Sequence, residues 1–220
     1  MGTLRLDRVS KDYITEGSSV PALRDVTLEF RPGEFVALVG RSGCGKSTLL
    51  NLAGAMDFPT AGEVLIGGRA TSSLSDAELT ALRRTRVGFV FQSFQLLPTL
   101  TVLENVELPL LLARASKSAG TAMERLRWVD LEAKADSFPY QLSGGQMQRV
   151  AIARALAHSP DIVIADEPTG NLDNASGGQI LALLRRCADE FGAAVLVATH
   201  SAEAAAIADV RVKLRDGRIE

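Results

Sequence analysis

A glycine-rich loop between a buried strand and a helix constrains this chain more than any other feature. Residues 35–39 are continuously apolar, which is typical of a strand buried on both faces, and residues 46–56 have the sequence of a helix. The loop between them fits G-x-x-x-x-G-K-[ST] at every fixed position, so its N–H groups and the helix start can hold phosphate oxygens. The residues concerned are Gly40, Arg41, Ser42, Gly43, Cys44, Gly45, Lys46 and Ser47, with Thr48 directly after them.

Two side chains of this loop have predicted roles. Lys46 can reach the β- and γ-phosphates of a nucleotide, and the hydroxyl of Ser47 can bind Mg²⁺. A glycine turn with an incidental lysine is the alternative, but the strand–loop–helix context favours phosphate binding. Kinases, GTPases and motor ATPases share the pattern, so it indicates phosphate binding without naming the reaction.

A pair of carboxylates ends a second apolar strand, at residues 162–165. Side chains at the carboxyl end of a parallel strand face the ligand crevice. Because successive side chains along a strand point in opposite directions, Asp166 and Glu167 should have different roles. We expect Asp166 to anchor Mg²⁺ and Glu167 to act as general base towards the attacking water. The alternative is a polar strand end in solvent.

A second glycine-rich helix start, Leu-Ser-Gly-Gly-Gln, lies at residues 142–146. Ser143 is a good N-cap, and Gly144, Gly145 and Gln146 leave N–H groups for another anion. The loop at 40–47 already serves one nucleotide, so the second start could serve a γ-phosphate presented by another copy of the chain. A flexible glycine cap is the alternative.

Strand-like and helical segments alternate at both ends of the chain and give way to helices in the middle. The middle helical segments are 101–113, 118–130 and 144–158. This arrangement predicts an α/β fold with a mainly parallel sheet, built from residues 1–91 and 159–220. An all-helical insert, residues 92–158, interrupts it.

Bulk properties exclude several classes of protein. A formal net charge of −2 over 220 residues argues against a nucleic-acid coat. The longest run without charge, 87–103, contains Gln92 and Pro98 and is a poor bilayer segment. The N-terminus does not resemble a signal peptide, and Cys44 and Cys187 fit a reducing compartment. We therefore expect a soluble cytoplasmic protein that reaches a membrane only through a partner.

These residues together resemble the ABC ATPases over essentially the whole chain. Residues 142–155 resemble the signature motif of that family, and the loop 40–47 resembles its Walker A motif. The resemblance implies a P-loop NTPase fold with an N-terminal antiparallel β part and an all-helical insert. It also implies further site residues, namely Tyr13 stacking on adenine, Gln92 in the Q-loop, residues 171–173 as the D-loop and His200 as the switch histidine.

In that family two subunits sandwich two ATP molecules head to tail, each between the Walker A motif of one copy and the signature of the other. The resemblance therefore implies a homodimer in which Ser143, Gly144, Gly145 and Gln146 contact the other copy's nucleotide. It assigns catalysis to Glu167, His200, Gln92 and Lys46. It assigns Mg²⁺ binding to Ser47, Gln92 and Asp166.

Within the family, residues 91–98, 101–106 and 166–173 resemble the lipoprotein-releasing and macrolide-export ATPases. We therefore expect an ATP-hydrolysing subunit that works with transmembrane permease subunits on the inner face of the cell membrane. A regulatory ATPase of the cell-division type is the alternative. A DNA-repair or ribosome-acting ATPase is disfavoured because the sequence shows no coiled-coil insertion, zinc-binding Cys pairs or second fused cassette, and no nucleic-acid partner is expected. Arg41 and Cys44 differ from the Pro and Ser more usual in these relatives, at variable positions of the loop.

Overall fold

The computed structural model describes residues 3–15 and 17–220. Met1, Gly2 and Glu16, which belong to the predicted core segment 1–91, lie outside the described residues. The strands are β1 (Leu4–Thr15), β2 (Ser18–Phe30), β3 (Phe35–Val39), β4 (Ala61–Ile66), β5 (Arg69–Ala70), β6 (Val87–Phe91), β7 (Ile162–Asp166), β8 (Ala194–Thr199), β9 (Val210–Arg215) and β10 (Arg218–Ile219). The α-helices are α1 (Lys46–Ala53), α2 (Asp76–Arg86), α3 (Val102–Leu112), α4 (Ser118–Trp128), α5 (Gly144–Leu156), α6 (Asn174–Phe191) and α7 (Ala202–Ala206).

A six-stranded sheet forms the predicted parallel core. Its order is β10-β9-β3-β8-β7-β6, and every pair from β9 to β6 is parallel. All residues of β8 are buried because both faces are covered: Val195 and Val197 lie in the apolar cluster that includes α6, whereas Leu196 lies in the cluster that includes α1. Parallel neighbours end at the same edge, so the loops that follow β3, β6, β7 and β8 meet there.

A four-stranded antiparallel sheet with the order β2-β1-β4-β5 confirms the expected N-terminal antiparallel part. Val26 and Phe30 of β2 are buried, and the residues between them are more exposed, which is the alternation of a sheet with one covered face. This sheet packs onto the parallel one through an apolar cluster shared with α1.

Between β6 and β7 the described chain contains helices and no strands, as expected for an all-helical insert. Thr101 and Ser143 both form capping boxes, at the starts of α3 and α5. Val106 of α3 and Val150 of α5 belong to the same apolar cluster as Val90 of β6, so the insert packs directly against the sheet. Across the described residues, none of the helices combines the length and apolarity needed to span a bilayer.

The first helix is shorter than the sequence predicts. The expected segment was 46–56, but α1 ends at Ala53. Ala55 adopts a left-handed φ of 53°, and the N–H of Met56 donates to Asn51 O at 2.8 Å. Together these form a Schellman-type end, which usually has glycine rather than alanine at its left-handed position. The prediction was wrong because it continued the helix past Gly54, which is the C-cap of α1, and Ala55 carries no stop signal of its own.

Candidate functional site

One edge of the parallel sheet contains an open cavity of about 690 Å³. Tyr13 of β1 and Ala22 of β2 belong to its lining, so the antiparallel sheet contributes to it. The predicted site residues that line it are Tyr13, Ser42, Gly43, Gly45, Lys46, Ser47, Thr48, Gln92, Glu167 and His200. Gly40, Arg41 and Cys44 line an adjoining cavity of about 720 Å³ instead, which shares Ser42, Gly43 and His200 with the first.

Close backbone approaches explain two glycines of the phosphate loop. A Cβ on Gly40 would lie 2.4 Å from the carbonyl oxygen of Leu214, and a Cβ on Gly45 would lie 2.6 Å from that of Ala22. Gly45 also has a φ of 108°, which disfavours any side chain. Strands β2 and β9 therefore hold the loop against the sheet, and the loop needs glycine where they touch it.

Lys46 is buried although it carries a charge. Its Nζ donates to the carbonyl oxygen of Gly40 at 2.8 Å and to that of Arg41 at 3.3 Å. The same atom lies 3.4 Å from Nε2 of His200. Burying an ammonium group is costly unless it is hydrogen-bonded, and these contacts meet that need inside the loop. The lysine is therefore fixed beside the residue that follows β8.

Glu167 leaves β7 in a left-handed conformation with a φ of 46°. Its N–H donates to the carbonyl oxygen of Ala198 at 2.9 Å, which attaches this turn to β8. Its Oε1 lies 3.1 Å from Nε2 of His200. That nitrogen also faces Lys46, and it can serve only one neighbour: as N–H it donates to Glu167, and as a bare nitrogen it accepts from Lys46. The cavity thus brings three predicted catalytic residues into contact.

The two adjacent carboxylates have different surroundings, as strand geometry predicts. Glu167 lines the cavity, whereas Asp166 is the last residue of β7 and is not part of the lining. Asp166 pairs in register with Phe91 of β6, directly before Gln92, so the carboxylate and the amide leave neighbouring strand ends. Within residues 3–15 and 17–220 no group of three or more His, Cys, Asp or Glu side chains is arranged to hold a metal ion.

Gln92 is tied to the turn that follows Glu167. Its Nε2 donates to Oδ1 of Asn171 at 3.1 Å, and Nδ2 of Asn171 donates back to the Gln92 carbonyl oxygen at 3.0 Å. A Cβ on Gly170 would lie 2.7 Å from Gln92 Nε2, so the absence of a side chain lets the amide approach this closely. The segments after β6 and β7 therefore form one unit at the edge of the cavity.

The second glycine-rich helix start lies outside the cavity lining. Ser143 Oγ accepts from Gln146 N at 3.3 Å, and Ser143 N donates to Gln146 Oε1 at 2.9 Å. Gly144 lies against Leu172, and Gly145 lies against Ser176 at the start of α6. Ser143 is exposed. The structure therefore does not bring Ser143, Gly144, Gly145 and Gln146 to the phosphate loop of their own chain.

Several lining residues were missed by the sequence analysis. Thr199 and Ser201 flank His200 and could have been found, because residues just after a parallel strand face the crevice. Thr169 and Gly170 follow Glu167 and carry the same signal. Ala22 carried none, because it belongs to the antiparallel sheet. The missed lining residues are Ala22, Thr169, Gly170, Thr199 and Ser201.

Comparison with known proteins decides the family. The sequence pattern of the family described as ABC transporter matches residues 23–170. The chain belongs to the ABC transporter family. It is an ATPase by family and by fold, as the resemblance in its motifs predicted.

Relatives of this ABC transporter chain support the predicted branch. An uncharacterized ABC transporter ATP-binding protein of Methanocaldococcus jannaschii, MJ0796, is 47% identical, over 99% of this chain and 95% of that protein. The lipoprotein-releasing system ATP-binding protein LolD of Maricaulis maris is 45% identical, over 98% and 95%. The macrolide export ATP-binding/permease protein MacB of Rhodopirellula baltica is also 45% identical, over 98% of this chain but 32% of that longer protein.

A solved structure supports the fold of this ABC transporter chain. The dimeric post-hydrolysis state of the ATP-binding cassette MJ0796, bound to ADP and Pi, has a TM-score of 0.90 at 46% identity. The match covers 99% of this chain and 96% of that one. Such agreement over nearly the full length confirms the predicted fold class of an ABC ATPase cassette.

Proposed function

We propose that this chain hydrolyses ATP in an Mg²⁺-dependent reaction and drives a membrane transport complex through separate transmembrane permease subunits. The observation that carries the proposal is the contact of Glu167 and Lys46 with one nitrogen of His200, beside a phosphate loop. Glu167 as a base, Lys46 as a cation and the imidazole of His200 therefore lie in contact beside the loop. The core, residues 1–91 and 159–220, performs the chemistry, and the insert, residues 92–158, supplies the signature segment.

In the proposed reaction the loop at 40–47 holds the phosphates of ATP, and Tyr13 stacks on the base. Lys46 exchanges its carbonyl partners for phosphate oxygens, since an ammonium group has three donors to share. Glu167 takes a proton from the attacking water, and His200 holds this carboxylate in position relative to the γ-phosphate. Gln92 bridges the metal region and the turn at Asn171.

The residues around the phosphate loop suit Mg²⁺. This ion prefers oxygen ligands, commonly one or two carboxylates together with substrate phosphates and water. Ser47 offers a hydroxyl and Gln92 an amide oxygen in the cavity lining, and Asp166 offers a carboxylate at the adjacent strand end. Mg²⁺ would neutralise the charge that develops on the phosphates. Ser47, Gln92 and Asp166 are therefore the proposed metal-site residues.

The position of the signature segment supports a homodimer. Residues 143–146 lie beside Leu172 and Ser176 rather than in the cavity of their own chain. A head-to-tail pair of copies would bring each segment to the opposite copy's phosphate loop, and such an isologous arrangement closes on itself. The dimeric cassette of MJ0796 supports this assembly.

An apolar groove suits a helix of the permease partner. It has a volume of about 530 Å³ and runs between α2, β6 and α3, with Phe89, Leu108 and Leu112 among its lining residues. The charged groups in the lining are cationic, namely Arg83, Arg84 and Arg154. A short amphipathic helix with an apolar face and an acidic rim therefore fits it. Through this contact the chain would sit on the inner face of the cell membrane.

Phosphate release from ATP tests the chemistry. The purified chain should hydrolyse ATP with Mg²⁺ and stop when the metal is chelated, and Lys46→Ala should not hydrolyse it at all. Hydrolysis that continues in excess chelator would overturn the Mg²⁺ dependence. Normal turnover by Lys46→Ala would overturn the proposed site.

A matched pair of leucine variants tests the partner contact. Leu112 lines the groove, whereas the neighbouring Leu111 does not, and both are more than half exposed. Leu112→Asp should lower recovery of the permease that co-purifies from membranes by about tenfold, while Leu111→Asp should not. Neither change should alter hydrolysis by the isolated chain. Equal recovery with both variants would remove the groove from the partner contact.

A further inference from the structure

A hydrogen-bonded network lies behind the aromatic residue of the nucleotide cavity. The hydroxyl of Tyr13 donates to Oδ2 of Asp57 at 3.1 Å, and Nζ of Lys11 donates to Oδ1 of the same carboxylate at 2.7 Å. Lys11 also donates to the carbonyl oxygen of Phe58 at 2.8 Å, and the N–H of Phe58 donates to Asp57 Oδ1 at 2.7 Å. One carboxylate therefore gathers a lysine, a tyrosine and a backbone N–H.

The network leaves one face of the Tyr13 ring for a ligand. Lys11 and Tyr13 are two residues apart on β1, so their side chains leave the strand on the same face. Nζ of Lys11 lies over the ring, 5.0 Å from its centroid, within the range of a cation–π contact. Tyr13 lines the cavity, but Lys11 and Asp57 do not. The ammonium group thus covers one face of the ring, and the opposite face is available for stacking.

We propose that Asp57, together with Lys11, is a positioning residue that holds the Tyr13 ring for the purine base of the bound nucleotide. This inference rests on the proposed function, because it assumes that ATP occupies the cavity. Tyr13 is 38% exposed, so without these contacts its ring would sample several rotamers. Binding of the base would then have to fix one of them, at a cost in free energy. Fixing the hydroxyl end and one face removes that ordering cost from binding.

Charge keeps the network together. Lys11 has only 13% of its side chain exposed, so its charge needs the carboxylate as a partner. Burial tends to raise the pKa of Asp57, but the hydrogen bonds from Lys11, Phe58 and Tyr13 hold it below its ordinary value. Asp57 is therefore ionised at neutral pH and accepts from all three donors at once.

A nucleotide and a base-free analogue separate positioning from a general structural effect. Dissociation constants for ATP and for inorganic triphosphate would be measured by calorimetry on the full chain and on Asp57→Ala. ATP binding should weaken about fivefold, a part of what base stacking contributes, while triphosphate binding stays unchanged. The kcat should change less than KM. Equal weakening for both ligands, or for neither, would overturn the proposal.

Tyr13→Phe keeps the ring and removes the hydroxyl, so it tests the route of the effect. If Asp57 acts through that hydroxyl, Asp57→Ala, Tyr13→Phe and the double variant should weaken ATP binding to a similar extent. Effects that multiply in the double variant would overturn the proposed route. Because Tyr13→Phe is a mild change, this arm remains informative if Asp57→Ala folds poorly.

The control is Glu190→Ala. Glu190 accepts from Arg186 and from the ring N–H of Trp128, so it matches Asp57 in its partners but lies outside the cavity lining. Its loss should leave both dissociation constants unchanged. If the unmodified chain binds neither ATP nor triphosphate, the proposed function fails. If it binds both and Asp57→Ala behaves like Glu190→Ala, only the positioning role fails.

Discussion

Two glycine-rich helix starts in this protein differ in backbone geometry and in their surroundings. At the phosphate loop, the residue before α1 is Gly45, which is left-handed and offers no side-chain cap. No side chain caps this start, and Nζ of Lys46 donates to the carbonyl oxygen of Gly40 in the same loop. At the second start, Ser143 and Gln146 cap α5 reciprocally. The first start lines a cavity of its own chain, and the second lies outside it.

The difference teaches that a glycine-rich helix start alone does not define a complete site. The first is surrounded by side chains of its own chain, including Glu167 and His200. The second has its backbone partly satisfied by its own cap and keeps Ser143 exposed. A hydroxyl that accepts from Gln146 can still donate to an anion. We propose that a surface from outside the chain completes the second start.

The largest effect is expected at Glu167. Glu167→Gln should leave ATP binding intact and slow hydrolysis by about 10²–10⁴-fold, the usual share of a general base. If the phosphate loop of one copy and the signature segment of another bind the same nucleotide, unhydrolysed ATP should trap a dimer that size-exclusion chromatography detects. Turnover near that of the unmodified chain would remove the carboxylate from this role. A variant that stays monomeric with ATP would break the link between the two starts.

Ser143→Arg separates a shared site from a self-contained one. A bulky cation there should leave ATP binding by the monomer nearly unchanged and abolish ATP-driven dimerisation, with hydrolysis falling at least about 100-fold. Calorimetry and size-exclusion chromatography measure the two properties separately. A Ser143→Arg monomer that cannot hold ATP would show that Ser143 serves the nucleotide of its own chain.

Mixing two variants sharpens that result. A mixed dimer of Ser143→Arg and Lys46→Ala contains one site with an intact phosphate loop and an intact signature, whereas neither homodimer contains any. Trapped mixed dimers should therefore form with ATP when the separate variants do not. Their failure to form, with both monomers folded, would argue against composite sites.

Alanine substitutions in the two loops should lower the free energy of unfolding by different amounts. Gly45→Ala should lower the free energy of unfolding by about 2–4 kcal/mol, because its φ is left-handed and the new Cβ would meet Ala22 O at 2.6 Å. Gly144→Ala should change it by less than about 1 kcal/mol, because the nearest atom is a leucine methyl at 3.2 Å. Urea denaturation measures both. Equal losses would show that the second loop is as tightly enclosed as the first.

A small effect is also expected at Gln148, which attaches α5 to the sheet. Its Nε2 donates to the carbonyl oxygens of Phe91 at 3.2 Å and Pro168 at 2.8 Å, while its buried Oε1 has no hydrogen-bond partner among the described residues. Gln148→Met loses two hydrogen bonds but also an unsatisfied oxygen. The free energy of unfolding should therefore fall by only about 1 kcal/mol in urea. A loss above that of Gly45→Ala would mean that the signature helix depends chiefly on this contact.

Much of the fold could be predicted because the periodicity of apolar residues and the turn and cap residues gave clear signals. The buried strand 35–39, the strand before Asp166 and the helix starting at Gly144 all carried clear patterns, and the structure has them. The end of α1 was missed although Gly54, its C-cap, is a stop signal, because the left-handed conformation falls one residue later, on Ala55.

The candidate site was predictable where its residues follow parallel strands. Lys46, Glu167 and His200 come from three different loops, and their convergence follows from the shared edge of the sheet. The contribution of Asp57 was not predictable, because its link to Tyr13 joins residues 44 positions apart, one in the loop after α1 and the other on β1. No local pattern encodes such a pair.

The backbone at Glu167 has a consequence for how this protein can change. A left-handed residue with a side chain costs about 1 kcal/mol or more, and glycine at 167 would remove that cost. It would also remove the only carboxylate in contact with His200 among the described residues. Selection for a more stable fold therefore favours glycine at this position, whereas selection for turnover favours glutamate. A library screened for thermal resistance alone should drift away from glutamate here, and one screened for activity should keep it.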